Sequence, residues 1–226
     1  MSNNINEISW KREQLWRGCL VASIAHAIMV AHYPELSNEH SWDGMNYSIQ
    51  DGEGTRATIT FHPEFCVSAF RDDSSDRIKA INNVKQAKEY FKGAPQEIVS
   101  VGETETLQYL LENVGGKVVP IITTAFWGIG QRLVATDSFE EMYQNGGFLL
   151  ERQVMEFNKS IESWGEYYDM SSKQCELLKT IFNRKINGGE EEILLSKDDI
   201  QLIGTDDTEG LEESRISFKE MGIMWE

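Results

Sequence analysis

Thiols, imidazoles and close-set carboxylates are the side chains of this sequence that could do chemistry. Cys19, in QLWRGCLVASIAHAI, is the thiol to weigh first. If a helix starts afresh after Gly18, Cys19 stands at its amino end, where a helix lowers a thiol pKa and makes a nucleophile. Gln14 lies shortly upstream, and its amide could donate to an oxyanion. His62 closes a predicted strand and is the strand-end imidazole available as a base. Pro63 follows it, however, and no separate Asn or Asp partner stands out. The preferred reading of Cys19 is the plainer one, a small apolar residue on a buried helix, where free cysteines are usually found.

The Gln14 to Cys19 segment resembles the nucleophile segment of papain-like and bacteriocin-processing cysteine peptidases. That resemblance implies a cysteine hydrolase using Cys19 and His62, which stands as the alternative function. Metal chemistry has less to work with. His26 and His32 are six apart and so fall on different helix faces. His62, Glu64 and Cys66 alternate and form the best ligand cluster, but Pro63 and Phe65 intervene and no second pair completes four-coordination. The expectation is no metal and no cofactor.

DGEGT, from Asp51 to Thr55, has the look of a calcium loop. With Gly54 as the loop's sixth residue, Ile49 and Thr60 occupy positions that need carboxylates, and Arg56 a position that needs an apolar residue. The hairpin reading fits instead. Met45, Tyr47 and Ile49 alternate with polar residues before the turn, and Ala57, Ile59 and Phe61 alternate after it. Thr55, Thr58 and Thr60 suit a solvent face. No phosphate loop is present: GGK at Gly115–Lys117 lacks the remainder of the motif, and no Gly-x-Gly-x-x-Gly opens a helix.

Asp72-Asp73, Asp198-Asp199 and Asp206-Asp207 lie in predicted turns, where adjacency gives no cleft between facing carboxylates. With Glu209, Glu212 and Glu213, the last two pairs make the carboxyl-terminal segment the expected binding surface. The chain carries 37 acidic against 21 basic side chains, a net charge of −16 over 226 residues. That charge disfavours nucleic acid and anionic lipid and favours a basic protein partner, although solubility explains an acidic surface equally well. Three scattered cysteines argue against disulfides and thiolate zinc. The amino terminus lacks a signal-peptide pattern, and the longest apolar stretch is short of the ~20 residues a spanning helix needs. A cytoplasmic protein is expected.

The elements that must position these residues read as follows. Ser9 is a plausible cap for a helix running to about His32, apolar nearly all round after Gly18. The hairpin follows, then a strand from Phe65 to Phe70. Helices are predicted over Arg77–Phe91, with Ile78, Ile81, Val84 (or Lys85) and Lys88 marking its turns, and over Glu103–Asn113, ended by Gly115-Gly116. Lys117–Trp127 is β-rich, with Pro120 demoting it to an edge or bulged strand. Ser138 and Glu141 form a capping box. Helical zones follow over about 148–168 and 171–186, and then an acidic, turn-like tail with short apolar pieces. SFEEMYQNGGFLL, from Ser138 to Leu150, is similar to a stretch in the SUKH group of bacterial immunity proteins, which neutralise toxin domains by binding them. The Leu-Pro pair common upstream in that group is missing here.

The chain is therefore read as one α+β domain over 1–226, with a weak boundary near 188–189 before the acidic segment. An antiparallel sheet seeded by a hairpin at about 42–62 carries helices packed on one face. The expected function is a non-catalytic, acidic protein-binding module of the bacterial cytoplasm, an immunity-type inhibitor of a basic toxin. A structural subunit of a larger assembly is a further alternative.

Overall fold

A computed structural model describes residues 5–79, 86–188 and 192–226. The strands are β1 (Asn6–Lys11), β2 (His40–Asp43), β3 (Asn46–Gln50), β4 (Thr55–Phe61), β5 (Phe65–Asp72), β6 (Leu111–Val114), β7 (Lys117–Pro120), β8 (Thr124–Ile129), β9 (Arg132–Ala135), β10 (Ile193–Leu195) and β11 (Ile223–Trp225). The α-helices are α1 (Arg12–Met29), α2 (Asp76–Lys79), α3 (Gln96–Thr104), α4 (Phe139–Gln144), α5 (Phe157–Tyr167), α6 (Ser172–Asn187), α7 (Lys197–Gln201) and α8 (Thr208–Glu220). The fold is α+β with a large antiparallel sheet. The chain divides into two compact units. The first comprises Met1–Leu15 and Met45–Glu151, the second Trp16–Gly44 and Arg152–Glu226.

In the first unit the sheet runs β1-β9-β8-β5-β4-β3. The DGEGT stretch is a hairpin turn. Tyr47 pairs with Ile59 and Ile49 with Ala57 across β3 and β4. Asp51 holds the turn by accepting the Glu53 and Thr55 N–H groups at 2.8 and 2.9 Å. Gly52 and Gly54 have φ of 72° and 108°, a region that favours glycine. Thr55, Thr58 and Thr60 are buried rather than solvated. The Thr60 hydroxyl donates to Asn46 Oδ1 at 2.6 Å and lies 2.7 Å from the Thr106 hydroxyl, so a second layer covers this face.

The strand expected at Phe65 runs two residues further and pairs back on β4. On one face, Val67 and Ala69 of β5 join Ala125 and Trp127 of β8 against Tyr90, Phe91, Ile98 and Leu107. On the other, Phe126 and Phe70 pack together, with Trp10 edge-on to Phe126 and Phe139. Ser9 is not a helix cap. It lies in β1, where the pairing with β9 is interrupted between Ile8 and Lys11.

Three stretches divide differently from expectation. The helix predicted over Glu103–Asn113 is the end of α3, a 3₁₀ turn at Thr106–Leu110 and then β6. Gly115 and Gly116, with φ of 60° and 83°, do not stop a helix; they turn the β6–β7 hairpin. Lys117–Trp127 supplies strands to two sheets: β7 ends at Pro120, and β8 lies between β5 and β9 in the large one. Of the helix expected over Arg77–Phe91, α2 and a 3₁₀ turn at Ala87–Phe91 are seen, while Ile81, Val84 and Lys85 lie outside the described residues.

The second unit is built around α1. Its apolar side chains from Leu20 onward pack with Trp164 of α5, Leu178 and Ile181 of α6 and Phe218 of α8. Gly18 is no fresh helix start: α1 runs through it, and a Cβ there would meet the Gln153 carbonyl oxygen at 1.7 Å. Close approach, not kinking, explains this glycine. Gly210 does the same for α8, where a Cβ would lie 2.1 Å from the Ala31 carbonyl oxygen. The zone expected to be helical over 148–168 starts as two 3₁₀ turns, Gly147–Leu150 in the first unit and Arg152–Val154 in the second, before α5. The acidic tail is more regular than its composition suggests. TDDTEGLEES forms most of α8, and β10 pairs in parallel with β11. The boundary expected near 188–189 touches residues outside those described.

Candidate functional site

Cys19 lies well inside α1 and is fully buried, so the dipole at a helix start does not reach it. Gln14 is half-buried in the first turn of the same helix. His62 follows β4, and its ring stacks on Phe65 at 4.1 Å. Arg12 donates to the His62 and Pro63 carbonyls, the latter at 2.9 Å, and clamps this turn. Cys66 is buried in β5, and burial pushes its thiol up to about 12. Cys175 is also raised by burial, although Lys179 opposes that shift. A raised thiol pKa is the reverse of what a nucleophile needs. Among the described residues no group of three His, Cys, Asp or Glu side chains is placed to hold a metal ion.

The seven candidate binding carboxylates separate by role. Asp199 is buried, accepts from Ser196 N–H and Oγ at 3.0 Å as part of a capping box, and pairs with both terminal nitrogens of Arg184 at 2.9 and 3.3 Å. Burial alone would raise its carboxyl pKa, but the Arg184 and Ser196 hydrogen bonds outweigh it and hold the group lowered. Its carboxylate is thus turned inward onto Arg184 and Ser196. Asp207 caps α8 by accepting the Glu209 N–H at 3.2 Å. Glu212 pairs with Arg215 on the same helix at 2.5 Å. Asp198, Asp206, Asp207, Glu209 and Glu212 are exposed, and Glu213 is half-buried.

Two grooves stand out, one in each unit. The first, of about 520 Å³, is lined by Ala87, Leu107, Leu111, Val119, Pro120 and Ile121, with Lys88 and Glu103 paired at 2.6 Å on its rim. The β6–β7 register puts Leu111, Pro120 and Val118 on one ribbon face, where Val118 is 65% exposed. The second, of about 550 Å³, lies along α5 and α6. Glu162, Glu166 and Asp169 line it with Lys179, which already pairs with Glu176 at 2.7 Å.

A third feature, in the second unit, was not visible in the spacing of the sequence. His26 and His40 are both buried, with ring centroids 5.3 Å apart. His40 also meets Trp164 at 5.2 Å. Arg152 lies over Trp164 and Tyr167 at 5.3 and 4.6 Å, a cation–π arrangement. His26 Nε2 donates to the Leu36 carbonyl at 2.9 Å, which fixes the proton on that nitrogen. Burial lowers His26 to about 4, and lowers His40 well below the usual imidazole value with His26 and Arg152 adding to the effect. Sequence could have signalled this pairing only through the Pro34 turn, which reverses the chain between the two residues.

No family model, no curated protein and no solved structure matches the chain. The likeness to SUKH proteins thus rests on the Ser138–Leu150 stretch alone, which has a local explanation. Ser138 and Glu141 cap α4 reciprocally, and Gly146, with φ of 127°, lies so close to Phe70 that a Cβ would meet its side chain at 2.8 Å. No helix among the described residues is long and apolar enough to cross a membrane.

Proposed function

We propose that the protein is a non-catalytic acidic binding module for a basic protein, acting in the bacterial cytoplasm as an immunity-type inhibitor. The observation that carries this reading is the carboxylate-lined groove of the second unit, where Glu162, Glu166 and Asp169 face solvent and the lining cation, Lys179, already has a partner. The wider field supports it. Residues 16–44 and 152–226 hold 20 acidic and 10 basic side chains, against 17 and 11 in the first unit, so the second unit carries −10 of the total −16. A field of one sign over a concave surface speeds capture of an opposite charge and disfavours wrong partners. Asp198, Asp206, Asp207 and Glu209 extend the exposed acidic surface.

The test uses the full chain as bait. A basic protein should be captured at low salt and released as salt rises to roughly 0.5 M. The E162K/E166K double variant should lose most of that capture while remaining folded. Equal capture by wild type and variant, or capture unaffected by salt, removes the reading. A second reading, a subunit of a larger assembly, draws on the exposed apolar side chains of Leu111 and Val118 on one face of the β6–β7 ribbon. Sedimentation gives its test, since a monomer at all concentrations counts against self-assembly.

A further inference from the structure

The β6–β7 hairpin pairs with no further strand among the described residues. A ribbon of two strands is marginally stable alone, and three or more with an apolar face are needed for independent stability. Which backbone groups its edges offer follows from the register. The Ile121 N–H donates to the Leu110 carbonyl at 3.0 Å, so the bonded pairs alternate outward from there as Glu112 with Val119 and Val114 with Lys117. Val118 and Pro120 then turn their backbone groups outward, along the free edge of β7. Pro120, which has no N–H, falls where the partner strand needs none, in keeping with that pattern. Val118 is 65% exposed, and Gly115 and Gly116 form the tip of the ribbon. Val119, Pro120 and Ile121 line the apolar groove of this unit together with Ala87 and Leu107.

We propose that the free edge of β7 pairs antiparallel with β7 of a second copy of this chain, giving a four-stranded ribbon with its two-fold axis at Val118. This pairing rests on the second reading above, a subunit of an assembly, and specifies the partner. About that axis Val118 lies opposite its own copy, and the two exchange both N–H···O=C bonds. An axis at Val119 would set Val118 against Pro120, and the missing proline N–H would lose half the bonds. The free edge of β6 is poorer, because an axis at Glu112 opposes two carboxylates and one at Asn113 sets Glu112 against Val114. Charge favours the β7 edge. Lys117 of each copy stands beside Val119 of the other, in the cross-strand row that holds Glu112. Opposite charges then flank an apolar side chain, two strand spacings or about 10 Å apart, twice over by symmetry. Because the strands run in opposite directions, the tips overlap and the two bodies lie at opposite ends of the ribbon. Gly115 and Gly116 of one copy reach Ile121 and Pro120 at the groove of the other, with no side chain to obstruct the approach. Such a contact uses the same patch on both copies and closes at two.

Sedimentation equilibrium of the full chain from about 1 to about 300 µM tests this, since a contact limited to one ribbon edge and a groove mouth belongs to the weak class of interfaces. Wild type should pass from monomer to dimer. V118K, which opposes two lysines at the axis, should weaken dimerisation at least tenfold while keeping the wild-type circular dichroism. A cysteine at the axis reads the register. Residues of a bonded antiparallel pair lie about 5.5 Å apart at Cα, within disulfide reach. With oxidised glutathione as oxidant, V118C should cross-link to a dimer at least tenfold faster than L194C, a control that is 54% exposed in the second unit. Dimerisation that V118K leaves unchanged, or equal cross-linking of the two cysteine variants, overturns the β7 pairing and leaves assembly through another face standing. A monomer at every concentration overturns the pairing and removes self-assembly with it.

Discussion

The two units treat buried polarity in opposite ways. In the first, interior polar groups are mostly hydroxyls, joined by the Asp72 and Asp137 carboxylates and the Arg71 guanidinium, each held by hydrogen bonds or an ion pair. Thr60 joins Asn46 and Thr106, Ser68 bonds Phe126, and Asp137 is held by both terminal nitrogens of Arg77 and by Thr124. In the second, two imidazoles sit among aromatic and aliphatic side chains. Hydroxyls stay neutral across the pH range a cell meets, whereas an imidazole does not. Buried imidazoles are therefore a feature of the second unit, while the first, among the described residues, buries carboxylates and hydroxyls instead.

The strongest way to break that comparison is a pH series. His26 has a folded pKa of about 4 against 6.5 in the unfolded chain, so as pH falls below 6.5 the unfolded state takes up the proton first. Stability rises with pH between those values and is lost in acid, by about 3 kcal/mol from His26 alone at pH 4. Urea unfolding followed at pH 7 and pH 4.5 should show the loss, and H26Q should flatten it. A pH slope that H26Q leaves unchanged would place the titrating group elsewhere.

A second measurement sharpens the first unit's side. Arg77→Met leaves the Asp137 carboxylate buried without its cation, with Thr124 as a remaining donor. The cost should be about 3 kcal/mol at neutral pH, read as a lower urea midpoint. The third and smallest effect isolates packing from charge. Gly210→Ala should cost about 2 kcal/mol, because the new methyl group meets the Ala31 backbone and disturbs the Ser214 hydroxyl bond to Ala27. Its effect on melting temperature should be the same at pH 7 and pH 6.

Much of the sheet was legible because alternation and turn chemistry agreed, as at Tyr47–Ile49, Asp51–Gly54 and Ala57–Phe61. Ser138 and Glu141 were readable for the same reason, since a capping box is local. Where residues carried two messages, reading stopped short. Leu107, Leu110 and Leu111 have helical spacing, but the paired glycines after them serve a hairpin. The candidate sites depended on long-range placement. The sequence does not show that Asp199 turns inward to Arg184 while Asp198 faces water, or that His40 folds back on His26.

The second unit is discontinuous in the chain, with α1 contributed early and its packing partners only after Arg152. During synthesis at ~5–20 residues per second, the apolar length of α1 emerges on the order of ten seconds or more before Phe218 exists to cover it. Until then, Leu20, Ile24 and Ile28 need a temporary cover from the ribosome surface or a chaperone, and a pause in translation after the first unit would prolong that need.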